Sequence, residues 1–185
     1  MKAKLVIFSG LSNFENITSV SSEFDDSLSN LGNQLDIKKY EIWYCDGKNN
    51  SELITNSFFK NNGNVSFLRP LDKICKSDNS YHQVFELDND TDCQKKLIEI
   101  GDIFLYLPGG LGTISEIFEV FSNSSISNKN IMILLYSYDN YYKEFISFIV
   151  QNIHNGNLSS QVFNNLYIFN EANEILEFLN KLYFE

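Results

Sequence analysis

The chain is short of several things, and each shortage narrows what it can be. Positive charge is scarce: 14 lysines and arginines stand against 24 acidic residues, a formal net charge of −10. No basic stripe is available to follow a nucleic-acid backbone, so a nucleic-acid polymer is not an expected partner. A local phosphate site is compatible with that balance, because backbone amides can build one without side-chain charge. Arginine is nearly missing, with Arg69 the single one. Cys45, Cys75 and Cys93 are odd in number and show no CxxC spacing, which argues against a disulfide framework or a zinc site and for reduced thiols in the cytoplasm. Long apolar runs are lacking as well. The stretch "KLVIFSG" is too brief for a signal-peptide core and runs into the polar "LSNFEN". Nothing approaches transmembrane length, so no membrane partner is expected. His82 and His154 are isolated, without metal-ligand spacing, and neither a metal nor a cofactor is implied.

What is present is a foldable α/β pattern. The 43% hydrophobic and 15% aromatic content excludes a disordered chain, and 185 residues suit a single domain over 1–185. Short apolar runs at 4–9, 40–45, 64–69, 82–87, 102–107, 130–136 and 166–169 show little alternation, as expected of strands covered on both faces. Helical patterns lie between them near 17–36, 50–60, 90–100, 112–124, 140–153 and 171–184. In the fourth of these, Ile114, Ile117, Phe118 and Phe121 make one apolar stripe for the sheet. In the last, Ile175, Leu179 and Leu182 do the same, with Asn170 as the expected cap. This alternation predicts a Rossmann-like, doubly wound, mainly parallel sheet of about seven strands with helices on both faces. The polar segment 71–81 reads as a long loop.

Glycine is rare, yet three of the nine glycines crowd into "LYLPGGLGTISE", at Gly109, Gly110 and Gly112. In doubly wound sheets ligands bind beyond the carboxyl ends of the strands, and this stretch stands at such an end. Pro108 would stop the strand. Gly109 and Gly110 would reverse the chain with positive φ, and Gly112 and Thr113 would open a helix whose unpaired amides face the reversal. Such amides, at the positive end of the helix dipole, favour an anion such as phosphate. Thr113 would add a hydroxyl donor. The competing structural reading is a capping box between Thr113 and Glu116. The GxxxxGK[ST] phosphate loop is absent. "GLGTIS" nearly fits GxGxxG, but that dinucleotide fingerprint belongs after the first strand of a sheet. Glu116, one helical step of three from Thr113, would lie about a ribose-length from the phosphate, able to hold sugar hydroxyls or assist attack of water at an anomeric carbon.

"PGGLGTISE" resembles the PGGxGTxxE signature of the LOG ("Lonely guy") family of cytokinin-activating phosphoribohydrolases, many of which are called lysine decarboxylase-like. The likeness extends to "LVIFSGLSN", "IMILLYSYDNYYKEFISFI" and "GNLSSQVFNNLYIFNEANEILEFL". It implies a Rossmann-like homodimer that cleaves the N-glycosidic bond of an AMP-like nucleoside 5′-monophosphate, giving free base and ribose 5-phosphate. By position, Gly109, Gly110, Gly112 and Thr113 would hold the phosphate, Glu116 would be the catalytic carboxylate, and Ser9, Gly10 and Ser12 would line the nucleotide pocket. Tyr141 and Tyr142 match paired tyrosines of the family, one of which would approach the dimer contact.

Two departures accompany the match. The family's YGGGxxGLMG segment aligns with "YCDGKNNSEL", which keeps Tyr44 and Gly47. Its MxxRK motif supplies an arginine that pairs with the catalytic glutamate; counting back from Asp102 without gaps puts Cys93 at that arginine and Gln94 at the lysine. Lys96, one turn on from Cys93, is the candidate catalytic substitute, against the reading of a solvated surface charge. A weakly active or inactive nucleotide sensor of the same superfamily is therefore the alternative function. Lysine decarboxylation is rejected, because no Schiff-base lysine constellation is visible.

Overall fold

The structure is a computed structural model that describes residues 2–9, 22–45, 50–72, 81–126 and 131–182. Seven strands run in the order β1 (Ala3–Phe8), β2 (Tyr40–Cys45), β3 (Val65–Pro70), β4 (Gln83–Leu87), β5 (Ile103–Tyr106), β6 (Met132–Tyr136) and β7 (Leu166–Phe169). They form one sheet in the spatial order β4-β3-β2-β1-β5-β6-β7. Every strand pair is parallel.

Six helices cover it: α1 (Ser22–Gln34), α2 (Ser51–Lys60), α3 (Asp90–Ile100), α4 (Leu111–Ile126), α5 (Lys143–His154) and α6 (Ala172–Lys181). The apolar strands feed two cores, because successive strand side chains point to opposite faces. Leu5 and Ile7 of β1 join Phe24 and Leu28 of α1, Phe58 of α2 and Ile175 of α6 on one face. Val6 and Phe8 join Leu97 of α3, Ile117 and Val120 of α4 and Ile149 of α5 on the other. The result is a three-layer α/β/α sandwich.

Several local expectations are corrected. Strand β4 is exposed along most of its length rather than covered on both faces. It is one of the two edge strands, and Phe85, 41% exposed, stacks on Trp43 at a centroid distance of 5.2 Å. On α4, Ile117 and Phe121 of the expected stripe are buried and Ile114 packs against the same core, joined by Val120, while Phe118 is exposed. Phe118 turns sideways to meet Phe145 of α5 edge-on. Helix α6 is capped by Glu171, not Asn170, in a box closed reciprocally with Glu174. The helix expected over 140–153 begins later: a 3₁₀ turn at Tyr138–Asn140 precedes it, with Asp139 and Asn140 at positive φ. The 3₁₀ segment Ser160–Asn165 lay outside the sequence expectation. Most of the 71–81 loop, at 73–80, lies outside the described residues.

Candidate functional site

Strands β1 and β5 are neighbours, but the chain leaves β1 toward β2 on one side and leaves β5 toward β6 on the other. The crevice beyond their carboxyl ends is the topological switch point of the sheet. Ser9 stands at the end of β1, where its Oγ accepts from the amide of Ser51, 3.4 Å away, at the start of α2. Gly10 and Ser12 lie outside the described residues. Across the crevice, the amide of Leu107 donates to the carbonyl of Phe8 at 2.9 Å. That bond pins the start of the glycine turn to the tip of β1.

The turn itself differs from the expectation in its backbone. Among the described residues the positive-φ glycine is Gly156, so Gly109, Gly110 and Gly112 do not serve a left-handed reversal. Helix α4 opens at Leu111, before Gly112, and its first i to i−4 bond runs from the Ile114 amide to the Gly110 carbonyl at 3.2 Å. Thr113 therefore sits inside the first turn, buried, rather than at the N-cap, and the Thr113–Glu116 capping box does not form. The amides of Leu111, Gly112 and Thr113 precede the first intrahelical bond and stand at the positive end of the helix dipole. A Cβ on Gly110 or Gly112 would meet no atom within 4 Å. The bareness of these two exposed positions serves no contact among the described residues.

Three tyrosine hydroxyls hold the carbonyl side of this segment. Tyr142 donates to Leu107 at 2.6 Å, Tyr141 to Gly109 at 2.7 Å and Tyr106 to Glu116 at 3.2 Å, each to the main-chain oxygen. Burial is the main cause that raises all three phenols above their ordinary range, and the Glu116 carboxylate adds to the rise at Tyr106 and Tyr142. They stay protonated and stay donors. Of these peptides, the one after Gly109 carries the Gly110 N–H, which points away from Tyr141 because N–H and C=O lie on opposite sides of a trans peptide. The Leu107 carbonyl belongs to a Pro108 peptide that has no N–H. The pairing "YY" was legible as a family feature, but its attachment to the glycine turn was not.

Glu116 is half-buried on α4. Its Oε1 accepts a 2.9 Å hydrogen bond from Nε2 of Gln94 on α3. Lys96, the expected substitute cation, is engaged elsewhere. Cys93 is fully buried against the sheet. Lys96 lies roughly 200° round α3 from Gln94, pairs with Glu99 at 2.9 Å, and joins Trp43 and Phe85 in the wall of a cavity of about 490 Å³ on the β4 side. Arg69 is also engaged elsewhere, with Glu86 at 3.2 Å and Tyr81 at 3.1 Å. Gln94, which the resemblance set at the motif's lysine without giving it a role, is thus the residue whose contact the sequence reading missed. Its signal was the buried pair Cys93 and Leu97: once those point at the sheet, the next residue round the helix is turned sideways.

Among the described residues no group of three or more His, Cys, Asp or Glu could hold a metal ion, and no helix is long and apolar enough to cross a membrane.

Comparison with known proteins places this geometry. A family described as "Possible lysine decarboxylase" matches residues 52–179. A cytokinin riboside 5′-monophosphate phosphoribohydrolase of Rhodococcoides fascians is 31% identical over 99 residues, 52% of this chain and 50% of that protein. The chain thus spans about half the length of the curated relative it matches. Among solved structures, the structural-genomics protein TM1055 superposes with a TM-score of 0.74 at 18% identity, over 98% of this chain and all of the other. A molybdenum cofactor carrier protein of Chlamydomonas reinhardtii superposes at 0.67 and 10% identity, over 98% of this chain and all of that one. At such identities these two show a shared fold.

Proposed function

Because the chain belongs to the family described as possible lysine decarboxylase, the LOG family, we propose that it is a nucleoside 5′-monophosphate phosphoribohydrolase. The curated relative bears the name of that activity. The observation that carries the reading is the placement of Glu116 one turn inside a helix whose first amides are left bare at the switch point of the sheet.

In this reading the 5′-phosphate of an AMP-like nucleotide sits on the amides of 110–113, where unpaired N–H groups and the helix dipole favour an anion. Gly110 and Gly112 let the phosphate oxygens come within hydrogen-bond reach. The ribose then extends over the first turn toward Glu116. As the bond from C1′ to the base nitrogen breaks, its electron pair leaves with the base and positive charge grows on the ring carbon and oxygen. The Glu116 carboxylate stabilises that charge and orients water, whose oxygen bonds to C1′ while a proton passes to the departing base. The products are free base and ribose 5-phosphate, and the atoms balance without a cofactor. Ser9, across the crevice, faces the nucleotide. We further propose that the protein works as a homodimer.

Incubation with a panel of nucleoside monophosphates, assayed for free base beside a binding titration, tests the proposal. Base release that disappears in Glu116→Gln, with binding retained, supports it. Saturable binding without release from the wild-type protein would replace it with the sensor reading. Neither binding nor release would overturn both.

A further inference from the structure

We propose that Gln94 is a positioning residue for Glu116: its side-chain amide fixes one carboxylate oxygen, and so the plane of the group, without neutralising its charge. The inference rests on the hydrolysis proposed above and goes beyond it by giving a role to a residue on a different helix. The two side chains meet because both helices are locked in rotation. On α3, Asn89 caps the first turn by accepting from the Asp92 amide at 2.9 Å, and Cys93 and Leu97 are buried against the sheet. On α4, Thr113, Ile117 and Val120 do the same. Between the helices Gln94 faces Glu116, with Nε2 and Oε1 2.9 Å apart.

The chemistry of the donor matters. A guanidinium or ammonium at this position would orient the carboxylate and also cancel much of its charge. A carboxamide is neutral, so the carboxylate keeps its full negative charge to set against a sugar ring that becomes cationic. Two groups electrostatically coupled to Glu116 are consistent with that: Tyr106 from β5 and Tyr142 from the start of α5 are both held in their neutral form. Two neutral phenols thus stand beside the carboxyl group that Gln94 orients. The backbone of α4 supports the same arrangement, since Tyr106 holds the main-chain oxygen of Glu116 itself.

The test compares Gln94→Met, which keeps the shape and loses the donor, with Gln94→Glu, which keeps the shape and sets two carboxyls against each other. Loss of a hydrogen bond to a charged group lowers kcat roughly ten- to hundredfold in Gln94→Met, with KM within about threefold because the phosphate cradle is untouched. Gln94→Glu falls further. Melting temperatures recorded alongside separate this from unfolding. A readout independent of turnover is the side-chain amide of Gln94 in a ¹⁵N-labelled sample: its proton resonance is displaced downfield in the wild type and returns to the ordinary position in Glu116→Gln. An ordinary resonance in both proteins, or unchanged kcat in Gln94→Met, overturns the role of Gln94. A wild-type protein that releases no base but keeps the displaced resonance overturns the hydrolase reading alone.

Discussion

A methyl group added at Gly110 or Gly112 would enter open space, and neither residue has a positive φ that would exclude a side chain. Glycine within a helix costs about 0.5–1 kcal/mol relative to alanine, and Gly112 lies in the first turn of α4. Folding alone would favour alanine there. Gly112→Ala should therefore melt at the same temperature as the wild type or a little higher, while its affinity for a nucleoside monophosphate falls at least about tenfold, since the added Cβ stands where the phosphate must approach. Calorimetric melting and a binding titration on the same samples check both halves. Unchanged affinity would mean that the glycines answer to no ligand. The residue pattern "PGGLGTISE" made this site legible from sequence, because clustered glycines, a proline and a carboxylate at fixed spacing each have a local physical meaning. The contact of Gln94 with Glu116 was not legible, because it joins side chains on two helices, 22 positions apart along the chain.

At the level of elements, the glycine turn is held by the start of α5. The amide of Tyr142 donates to Ser137 Oγ at 3.0 Å, and the chain reaches that point through Asp139 and Asn140, both left-handed at φ 50° and 58°. That left-handed pair is what delivers Tyr141 and Tyr142 to the carbonyls of Gly109 and Leu107. Tyr142→Phe removes a buried donor and leaves the Leu107 carbonyl without it, which should cost about 1–3 kcal/mol of stability by denaturant titration. Tyr141→Phe, at a half-exposed position, should change stability by less than about 0.5 kcal/mol and instead weaken ligand binding, because the Gly109 peptide is freed to rotate. Equal loss of stability in the two variants would contradict this division. The sequence periodicity found the helices among the described residues, and on α4 it misplaced Phe118 alone: that ring is as apolar as Ile117 and Phe121, but it meets Phe145 of α5 instead of the sheet.

At the scale of the whole molecule, the parallel sheet and its two helical layers followed from alternating apolar runs and helical patterns. The strand order did not, since nothing local states which strands lie side by side. That order matters most, because it brings Ser9 and the glycine turn to opposite lips of one crevice. The two cores share a further feature, several buried phenols. Burial raises Tyr40 to about 12 and raises Tyr136 and Tyr142 as well, with Tyr106 well above its ordinary value. In the unfolded chain these groups ionise near pH 10. The folded state therefore holds protons that the unfolded state gives up, and this part of the stability is complete below pH about 10 and is lost as pH rises through 10 toward 12 and beyond. Denaturant midpoints measured against pH should be level up to about pH 9 and fall above it, and Tyr40→Phe should make that fall shallower. A midpoint that stays level through the alkaline range would contradict the burial of these phenols.

The most direct test of the phosphate cradle is a ¹⁵N amide spectrum of the protein titrated with adenosine 5′-monophosphate. The expected result is saturable displacement of the main-chain amides of Gly110, Leu111, Gly112 and Thr113, matched by inorganic phosphate at those same amides. Amides of 110–113 that stay in place at millimolar nucleotide, whatever else in the spectrum moves, would contradict it.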